Sequence, residues 1–198
     1  MTASTPDRRI LIVDSAIDLI ATQGLRALTH RALDTALELP AGSASYYFRT
    51  KRALIEAIVD RIATRSRTDF AGMERTGDPI DLDRIARSTA AWLDRLLAQR
   101  RNHLIVRHAL IIDLLGDAEL HGELVGCLFS HRHATTLFDT LGAPDPATAA
   151  ADFIAVIEGL IFDRFAGART ALAAGTGKSV DQLAAVLAVQ LAATGASR

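Results

Sequence analysis

The sequence predicts an all-α fold with a small N-terminal head and a larger helical body. Alanine and leucine dominate the 198 residues, and 49% of the chain is hydrophobic with only 5 prolines. Apolar residues recur at three- and four-residue steps, the spacing of an amphipathic helix. Segments rich in β-branched residues and bounded by glycine or proline, which would indicate strands, are missing.

Composition also narrows the class of protein. The single cysteine, Cys127, allows no disulfide within the chain and is typical of a reducing compartment. The N-terminal MTASTPDRR lacks the apolar core of a signal peptide, and no uncharged apolar run approaches the roughly 18 residues of a membrane span. We therefore expect a cytoplasmic protein. Residues 1–68 carry 10 basic and 7 acidic residues, against 12 and 16 in residues 69–198, so positive charge is concentrated at the N-terminal end.

Four helices are predicted in the first part of the chain. Val13, Ile17 and Ile20 share one face of the first helix, and Gly24 ends it because glycine readily takes left-handed dihedrals. The hydroxyl of Thr29 can cap the second helix. The predicted ranges are Asp7–Gln23, Thr29–Leu37, Pro40–Tyr47 and a fourth helix from Thr50 to beyond Arg67. Two short helices joined by a tight turn are typical of a helix-turn-helix, whose second helix enters a DNA major groove.

The rest of the sequence predicts five longer helices. Their ranges are Leu82–Arg101, His103–Leu115, Asp117–Leu141, Ala147–Leu172 and Ser179–Ala193. Residues 77–79 (GDP) mark the break before these helices, and residues 142–146 (GAPDP) and 173–179 (AAGTGKS) are the predicted loops between the last three.

The segment LPAGSASYYFRTK, residues 39–51, is the most informative stretch of the chain. It holds both tyrosines, Tyr46 and Tyr47, followed by Phe48 and by the cations Arg49 and Lys51. A phenolic hydroxyl can donate to a phosphate oxygen, and a lysine at a helix start meets a phosphate with its charge and the helix dipole. Small residues ahead of the tyrosines can approach base edges. The alternative is that the tyrosines cover the core of the domain with their hydroxyls in water.

Residues 8–62 resemble the N-terminal domain of the tetracycline-repressor-like (TetR/AcrR-type) transcriptional regulators. The shared features are Gly24 after the first helix, Thr29 in LTHRAL, and the recognition-helix motif GSASYYFRTKRAL, with spacing that matches without gaps from Ala16 to Leu54. The resemblance implies a DNA-binding regulator rather than an enzyme. The DNA contacts that it implies are Thr29, His30, Arg31, Ala41, Gly42, Ser43, Ser45, Tyr46, Tyr47 and Lys51.

Three positions depart from the family pattern. Glu38 stands in the turn where the family usually has glycine, and Pro40 stands where it usually has serine. A glutamate in that turn favours different backbone dihedrals, and we expect its charge to point away from DNA. Ser45 stands where the family often has tyrosine, which removes or shortens one phosphate contact. The remaining candidates for base readout are Ser43, His30 and Arg31, beside DNA shape.

Two C-terminal helices carry the candidate dimer interface. Residues 152–164, DFIAVIEGLIFDR, and the last helix both place apolar residues at helical spacing, and Gly159 allows close helix approach. The spacing fits a core within one chain as well as a contact between two chains. The resemblance favours a four-helix bundle between two chains, because a palindromic operator needs two heads. The candidate residues are Ile154, Ile157, Gly159, Ile161, Leu183, Val186, Leu187 and Gln190.

The middle helices hold the candidate effector site that the resemblance implies. Its candidates are aromatic or polar residues within otherwise apolar helices, namely Trp92, Arg107, His108, Asp113, Phe129 and His133. Each of them alone is more readily explained as a core or surface residue. His131 and His133 are two positions apart and so point to different sides of a helix, and we expect neither a metal nor a cofactor. No spacing resembles a catalytic dyad, a nucleophile elbow or a P-loop.

Three functional hypotheses follow from these observations. The first is a homodimeric repressor that a small hydrophobic or amphipathic effector releases from a palindromic operator, with the helix at His103–Leu115 moving helix four and the head. The second is a DNA-binding regulator without an effector, and the third is a helical small-molecule-binding protein or enzyme without DNA affinity. The predicted domains are residues 1–52 for DNA binding and 53–198 for regulation and dimerisation, with helix four, about residues 51–75, linking them.

Overall fold

The computed structural model describes residues 7–71 and 81–195, and these residues form helices and loops without a strand. The α-helices are α1 Arg8–Gln23, α2 His30–Ala36, α3 Ser43–Tyr47, α4 Lys51–Ala71, α5 Leu82–Gln99, α6 Arg101–Asp113, α7 Ala118–Cys127, α8 His131–Thr140, α9 Pro146–Ala166 and α10 Gly177–Gly195. The all-α prediction is confirmed. The helices pack as two units, Met1–Thr68 with Ile105–Cys127, and Asp69–Leu104 with Leu128–Arg198. In the described part of the chain no helix is long and apolar enough to cross a membrane.

The first two helices are fixed at their ends by their own sequence. Asp7 caps α1 by accepting a hydrogen bond from the backbone N–H of Arg9 at 2.9 Å. Gly24 ends α1 with a φ of 81°, in the region where a side chain is strained. Thr29 caps α2 by accepting from the N–H of Ala32 at 3.1 Å. Both helices therefore lie where the cap residues predict them.

One apolar core in the first unit joins the head to α4, α6 and α7. Ile17 of α1, Leu33 of α2, Ile58 of α4 and Leu124 of α7 belong to one cluster of buried side chains. The inner face of α4 is buried, namely Leu54, Ile58 and Ile62. Burial of one such side chain stabilises the fold by roughly 1.5–3 kcal/mol. The helices that support the head are therefore packed onto it.

The second unit packs α5 along α10 and α8 along α9. The inner face of α5 consists of the buried Thr89, Trp92, Leu93, Leu96 and Leu97 and the half-buried Ile85. Aromatic side chains fill part of this core edge to face. The ring centroids of Trp92 and Phe129 are 5.2 Å apart, and those of Phe138 and Phe153 are 5.5 Å apart.

Two of the predicted long helices end earlier than their apolar spacing indicates. The predicted helix Asp117–Leu141 is two helices, because Ser130 caps α8 by accepting from the N–H of His133 at 3.3 Å. The predicted helix Ala147–Leu172 ends at Ala166. There the carboxylate of Asp163 accepts from the N–H of Ala168 at 2.8 Å, and the guanidinium of Arg164 donates to the carbonyl of Leu172 at 3.0 Å. These side chains hold the chain in a loop where a helix would otherwise continue.

Candidate nucleic-acid interface

The reading helix α3 is shorter than the sequence predicts. It begins at Ser43, whereas the first-turn preference of proline predicts a start at Pro40. Residues 40–42 form a turn in which Gly42 has a φ of 90°. The hydroxyl of Ser43 donates to the carbonyl of Pro40 at 2.6 Å, and the hydroxyl of Ser45 donates to that of Gly42 at 2.8 Å. Left-handed Gly42 ends the turn, so the helix starts one residue later.

Asp34 holds the start of α3 and is not among the residues predicted from the sequence. One carboxylate oxygen accepts from the N–H of Gly42 at 2.8 Å and the other accepts from that of Ala44 at 2.7 Å. Its backbone carbonyl accepts from the N–H of Leu39 at 2.8 Å. Asp34 is 6% exposed although it is charged. The available signal was an acidic residue beside Leu33 on the inner side of a short helix.

Glu38 takes a backbone conformation that glycine adopts more easily than any other residue. Its φ is 51°, and it is the one non-glycine residue with a positive φ in the described residues. The turn at Glu38 therefore has left-handed geometry, which has a steric cost for a residue with a Cβ. The side chain is exposed.

We expect Glu38→Gly to stabilise the protein by about 1 kcal/mol, because glycine adopts a positive φ without the steric cost of a Cβ. Urea unfolding measures the change as a higher midpoint with an unchanged slope. Glu38→Gln is the matched control, since it removes the charge and keeps the strained backbone. A midpoint for Glu38→Gly no higher than that of Glu38→Gln would contradict the assignment of strain.

The three consecutive aromatic residues at the C-terminal end of α3 are exposed to different degrees. Tyr46 is 77% exposed, Tyr47 is half-buried against the core of the first unit, and Phe48 is 2% exposed. The two phenol rings meet edge to face with centroids 5.3 Å apart. Tyr46 is therefore displayed to solvent. Tyr47 covers part of the core, which is the alternative role considered for both tyrosines in the sequence.

Arg9 of α1 fixes the other end of α3. Its guanidinium donates to the carbonyl of Tyr47 at 3.0 Å and lies 4.6 Å from the ring centroid of Phe48. A cation at a helix C-terminus meets the negative end of the helix dipole, and a cation over a ring gains further attraction. Position 9 carried no signal of this role in the sequence.

The remaining predicted DNA contacts surround α3. Thr29, Arg31, Ala41, Gly42 and Lys51 are exposed, and His30, Ser43 and Ser45 are half-buried. Among the described residues neither Arg49 nor Lys51 forms an ion pair, whereas Arg52 donates to Glu56 and Asp117. The hydrogen bond from Arg52 holds the pKa of the Asp117 carboxyl below its usual value. Two uncompensated cations therefore follow the displayed tyrosine.

Polar contacts tie α4 to its neighbours within the first unit. The guanidinium of Arg61 donates to both carboxylate oxygens of Asp14, each at 2.8 Å, and so joins α4 to α1. The hydrogen bond to Asp14 raises the pKa of Arg61 above its usual value. The hydroxyl of Ser66 donates to the carbonyl of Cys127 at the end of α7. Such two-point arginine–carboxylate pairs fix orientation as well as distance.

The six candidate effector residues fall in both units. Trp92 and Phe129 contact each other in the core of the second unit, and His133 is exposed there. In the first unit Asp113 is exposed and His108 is half-buried. Arg107 is 2% exposed, and its guanidinium donates to the carbonyls of Leu124 at 2.9 Å and Val125 at 3.4 Å, at the end of α7. From this set, Trp92 and Phe129 are in contact with each other in the core of the second unit.

The candidate dimer residues divide between core and surface. Ile154, Ile157, Ile161, Leu183 and Leu187 are buried in the core of the second unit within a single chain. Gly159 and Val186 are exposed, and Gln190 is half-buried. Further exposed apolar residues of α9 and α10 lie beside them, including Phe162 at 46% and Val189 at 71%. We call the exposed set Ala155, Gly159, Phe162, Ala185, Val186 and Val189 the α9–α10 face.

Solved structures share the fold along most of the chain at low identity. A transcriptional regulator from Rhodococcus sp. Rha1 is 19% identical, with a TM-score of 0.75 and coverage of 95% of this chain and 96% of that one. A member of the TetR family from Streptomyces coelicolor A3 is 22% identical, with a TM-score of 0.69 and coverage of 93% and 98%. The multidrug binding protein EbrR complexed with ethidium is 22% identical, with a TM-score of 0.63 and coverage of 93% and 98%.

Models of protein families match both the N-terminal and the C-terminal part of the chain. Residues 12–58 match the model of bacterial regulatory proteins of the tetR family, and residues 81–194 match the tetracyclin repressor-like C-terminal domain. No curated protein matches the chain. The C-terminal match alone spans more than half of the 198 residues. The chain belongs to the tetR family of bacterial transcriptional regulators, which bind DNA operators and small-molecule effectors and are not enzymes.

Proposed function

We propose that the chain is a homodimeric repressor that binds a palindromic operator and leaves it when a small hydrophobic or amphipathic effector binds. One observation carries the DNA-binding part. A helix held at both ends, by Asp34 and by Arg9, displays Tyr46 to solvent immediately before the uncompensated cations Arg49 and Lys51. Such a rigid, positively charged edge is suited to a DNA backbone, which carries one charge per roughly 1.7 Å of duplex. A DNA-binding regulator acts on the chromosome, so we place it in the cytoplasm.

The α9–α10 face supports the dimer. Phe162 and Val189 are large apolar side chains exposed on neighbouring helices, and the alanines and Gly159 around them allow close helix approach. Exposed apolar patches of this kind indicate interaction sites. We therefore move the proposed interface from the five buried candidates to this face. A two-fold axis through the α9–α10 face makes each contact occur twice in the interface. The resulting dimer has the two heads that a palindromic operator needs.

The geometry of operator binding follows from the dimer. Two reading helices that occupy successive major grooves on one side of the duplex lie about 34–36 Å apart. The proposed phosphate contacts are the hydroxyls of Tyr46 and Tyr47, the hydroxyl of Thr29 and the ammonium of Lys51. Ala41, Gly42, Ser43 and Ser45 are small enough to approach base edges, and His30 and Arg31 flank them.

Effector release is the part of the proposal that depends on the second unit. We propose that the effector binds beside Trp92 and Phe129 in the second unit, where His133 is a further candidate. Arg107, His108 and Asp113 lie in the first unit and stay separate candidates. The fold shared with a multidrug binding protein whose structure holds ethidium supports a small aromatic ligand. Within the first unit, Asp14–Arg61 and Arg52–Asp117 join α4 to α1 and α7, so a movement of these helices reaches the head. Fluorescence titration of the protein with ethidium in the absence of DNA tests effector binding, because ethidium also intercalates into duplex DNA. Release is tested by repeating the DNA titration below with a ligand that binds the protein but not the duplex.

The test of DNA recognition is a titration against duplex from upstream of the protein's own gene and against a scrambled duplex. We expect Tyr46→Ala and Lys51→Ala each to weaken specific binding by about tenfold, because each removes a phosphate contact from both heads. Measured between about 50 and about 200 mM salt, Lys51→Ala should also lower the salt slope of log K by about 2 per dimer.

Lys178→Ala is the matched control, since Lys178 is also exposed but lies on α10. Equal affinity of the wild type for both duplexes would contradict sequence-specific binding and favour a helical ligand-binding protein. Specific binding that no effector probe weakens would favour the regulator without an effector.

A further inference from the structure

Asp34 reaches from α2 to the segment that carries the reading surface. Its carboxylate accepts from the N–H groups of Gly42 and Ala44, and its backbone carbonyl accepts from that of Leu39. We propose that Asp34 is a positioning residue that sets the orientation of α3 and thereby the sequence selectivity of the DNA interface. The proposal rests on the proposed DNA-binding function, and it adds to the contacts that the family resemblance implies.

Helix α3 needs a support from outside itself. It spans five residues, far below the roughly 12–15 at which an isolated helix becomes even marginal in water. A side chain at the N-cap usually stabilises a helix start, but this N-cap is Gly42, which makes no side-chain cap hydrogen bond. Asp34 supplies that cap from eight positions earlier in the chain. The orientation of α3 relative to α2 therefore depends on this carboxylate.

The charge of Asp34 is balanced by backbone groups. It is 6% exposed, and no described cation forms an ion pair with it. Two backbone N–H donors, those of Gly42 and Ala44, compensate the buried carboxylate. Both N–H groups are then committed to Asp34 and not available to a phosphate. The proposed phosphate contacts are then those at the other end of α3, at Lys51 and at Thr29, and the N-terminal end of α3 meets DNA with small side chains.

Substitution by asparagine changes this contact without changing its shape. Asparagine has one oxygen and one NH₂ group, so one of the two backbone N–H groups would face another donor. Substitution by glutamate keeps the charge and moves the carboxylate outward by one methylene. Both variants should let α3 shift, whereas neither replaces a residue proposed to contact DNA.

The experiment compares wild type, Asp34→Asn, Asp34→Glu and the control Asp60→Asn, an exposed aspartate of α4 in the same unit. At a temperature where each is folded, binding to upstream and scrambled duplex is measured. We expect the affinity of both Asp34 variants for the upstream duplex to fall by about tenfold, because each head loses one charge-assisted hydrogen bond that orients α3. Their affinity for the scrambled duplex should change little. Asp60→Asn should keep the wild-type ratio.

Amide hydrogen exchange of the free protein supplies a readout that needs no DNA. The N–H groups of Gly42 and Ala44 should be protected in the wild type and should exchange at least about tenfold faster in Asp34→Asn. An unchanged ratio of specific to scrambled affinity in folded Asp34 variants would overturn the proposal, as would unprotected Gly42 and Ala44 in the wild type. A wild type that does not discriminate between duplexes, with both amides protected, would refute the DNA-binding function and leave the cap of α3 established.

Discussion

We expect Val189→Arg to convert the protein to a monomer and to lower its affinity for the operator by about 10²- to 10⁴-fold. Val189 is 71% exposed on the α9–α10 face. A two-fold contact through this face would bury position 189 of both chains, so the arginines of the variant would bring two like charges into the interface. Linking two heads makes the second binding step intramolecular, so loss of the dimer removes that gain without altering either head. Sedimentation gives the mass, and DNA titration gives the affinity.

The control for this variant is Ala91→Arg, an exposed position of α5 in the same unit. It adds the same charge away from the α9–α10 face and should leave mass and affinity unchanged. A Val189→Arg protein that remains dimeric and binds the operator as the wild type does would show that the chains associate through another surface.

We expect Arg107→Ala to destabilise the first unit by roughly 3 kcal/mol or more. Arg107 is 2% exposed, and its guanidinium donates to the carbonyls of Leu124 and Val125 at the end of α7. Its removal leaves the buried carbonyl of Leu124 unsatisfied, at about 1–3 kcal/mol, and opens a cavity where the side chain was. Urea unfolding should show a midpoint well below that of the wild type.

This variant also separates a structural role of Arg107 from a role in the effector site. Arg107→Met keeps much of the volume and should recover part of the stability, while Arg95→Ala removes an exposed arginine of α5 and should change little. If Arg107→Ala unfolds like the wild type but loses the response to ethidium, the residue contacts the effector and the structural assignment is wrong.

Local signals in the sequence were sufficient for the helices that are capped by adjacent residues. Asp7, Gly24 and Thr29 define α1 and the start of α2, because the bonds that they make lie within four positions of themselves. The start of α3 depends instead on Asp34, eight and ten positions from its partners, and on the left-handed Gly42. No periodicity reports such a contact. The break before α8 was missed for a related reason, since apolar spacing continues through it.

Periodicity also identifies a buried face without saying what covers it. The strongest apolar pattern of α9, which includes Ile154, Ile157 and Ile161, is covered by the chain's own core. The exposed α9–α10 face is weaker in the sequence because it is built largely from alanine and glycine around Phe162 and Val189. Exposure in the folded chain distinguishes the two faces, and exposure is not a property of spacing.

The most direct test of the central claim is a hydroxyl-radical footprint of the purified protein on the DNA upstream of its gene, combined with the stoichiometry of the complex. The account predicts two chains per site and two protected half-sites, centred about 10 base pairs or a multiple of that apart and related by an inverted repeat. Tyr46→Ala should weaken protection of both half-sites together. A single protected half-site with one chain bound, or uniform protection along the duplex, would contradict the account.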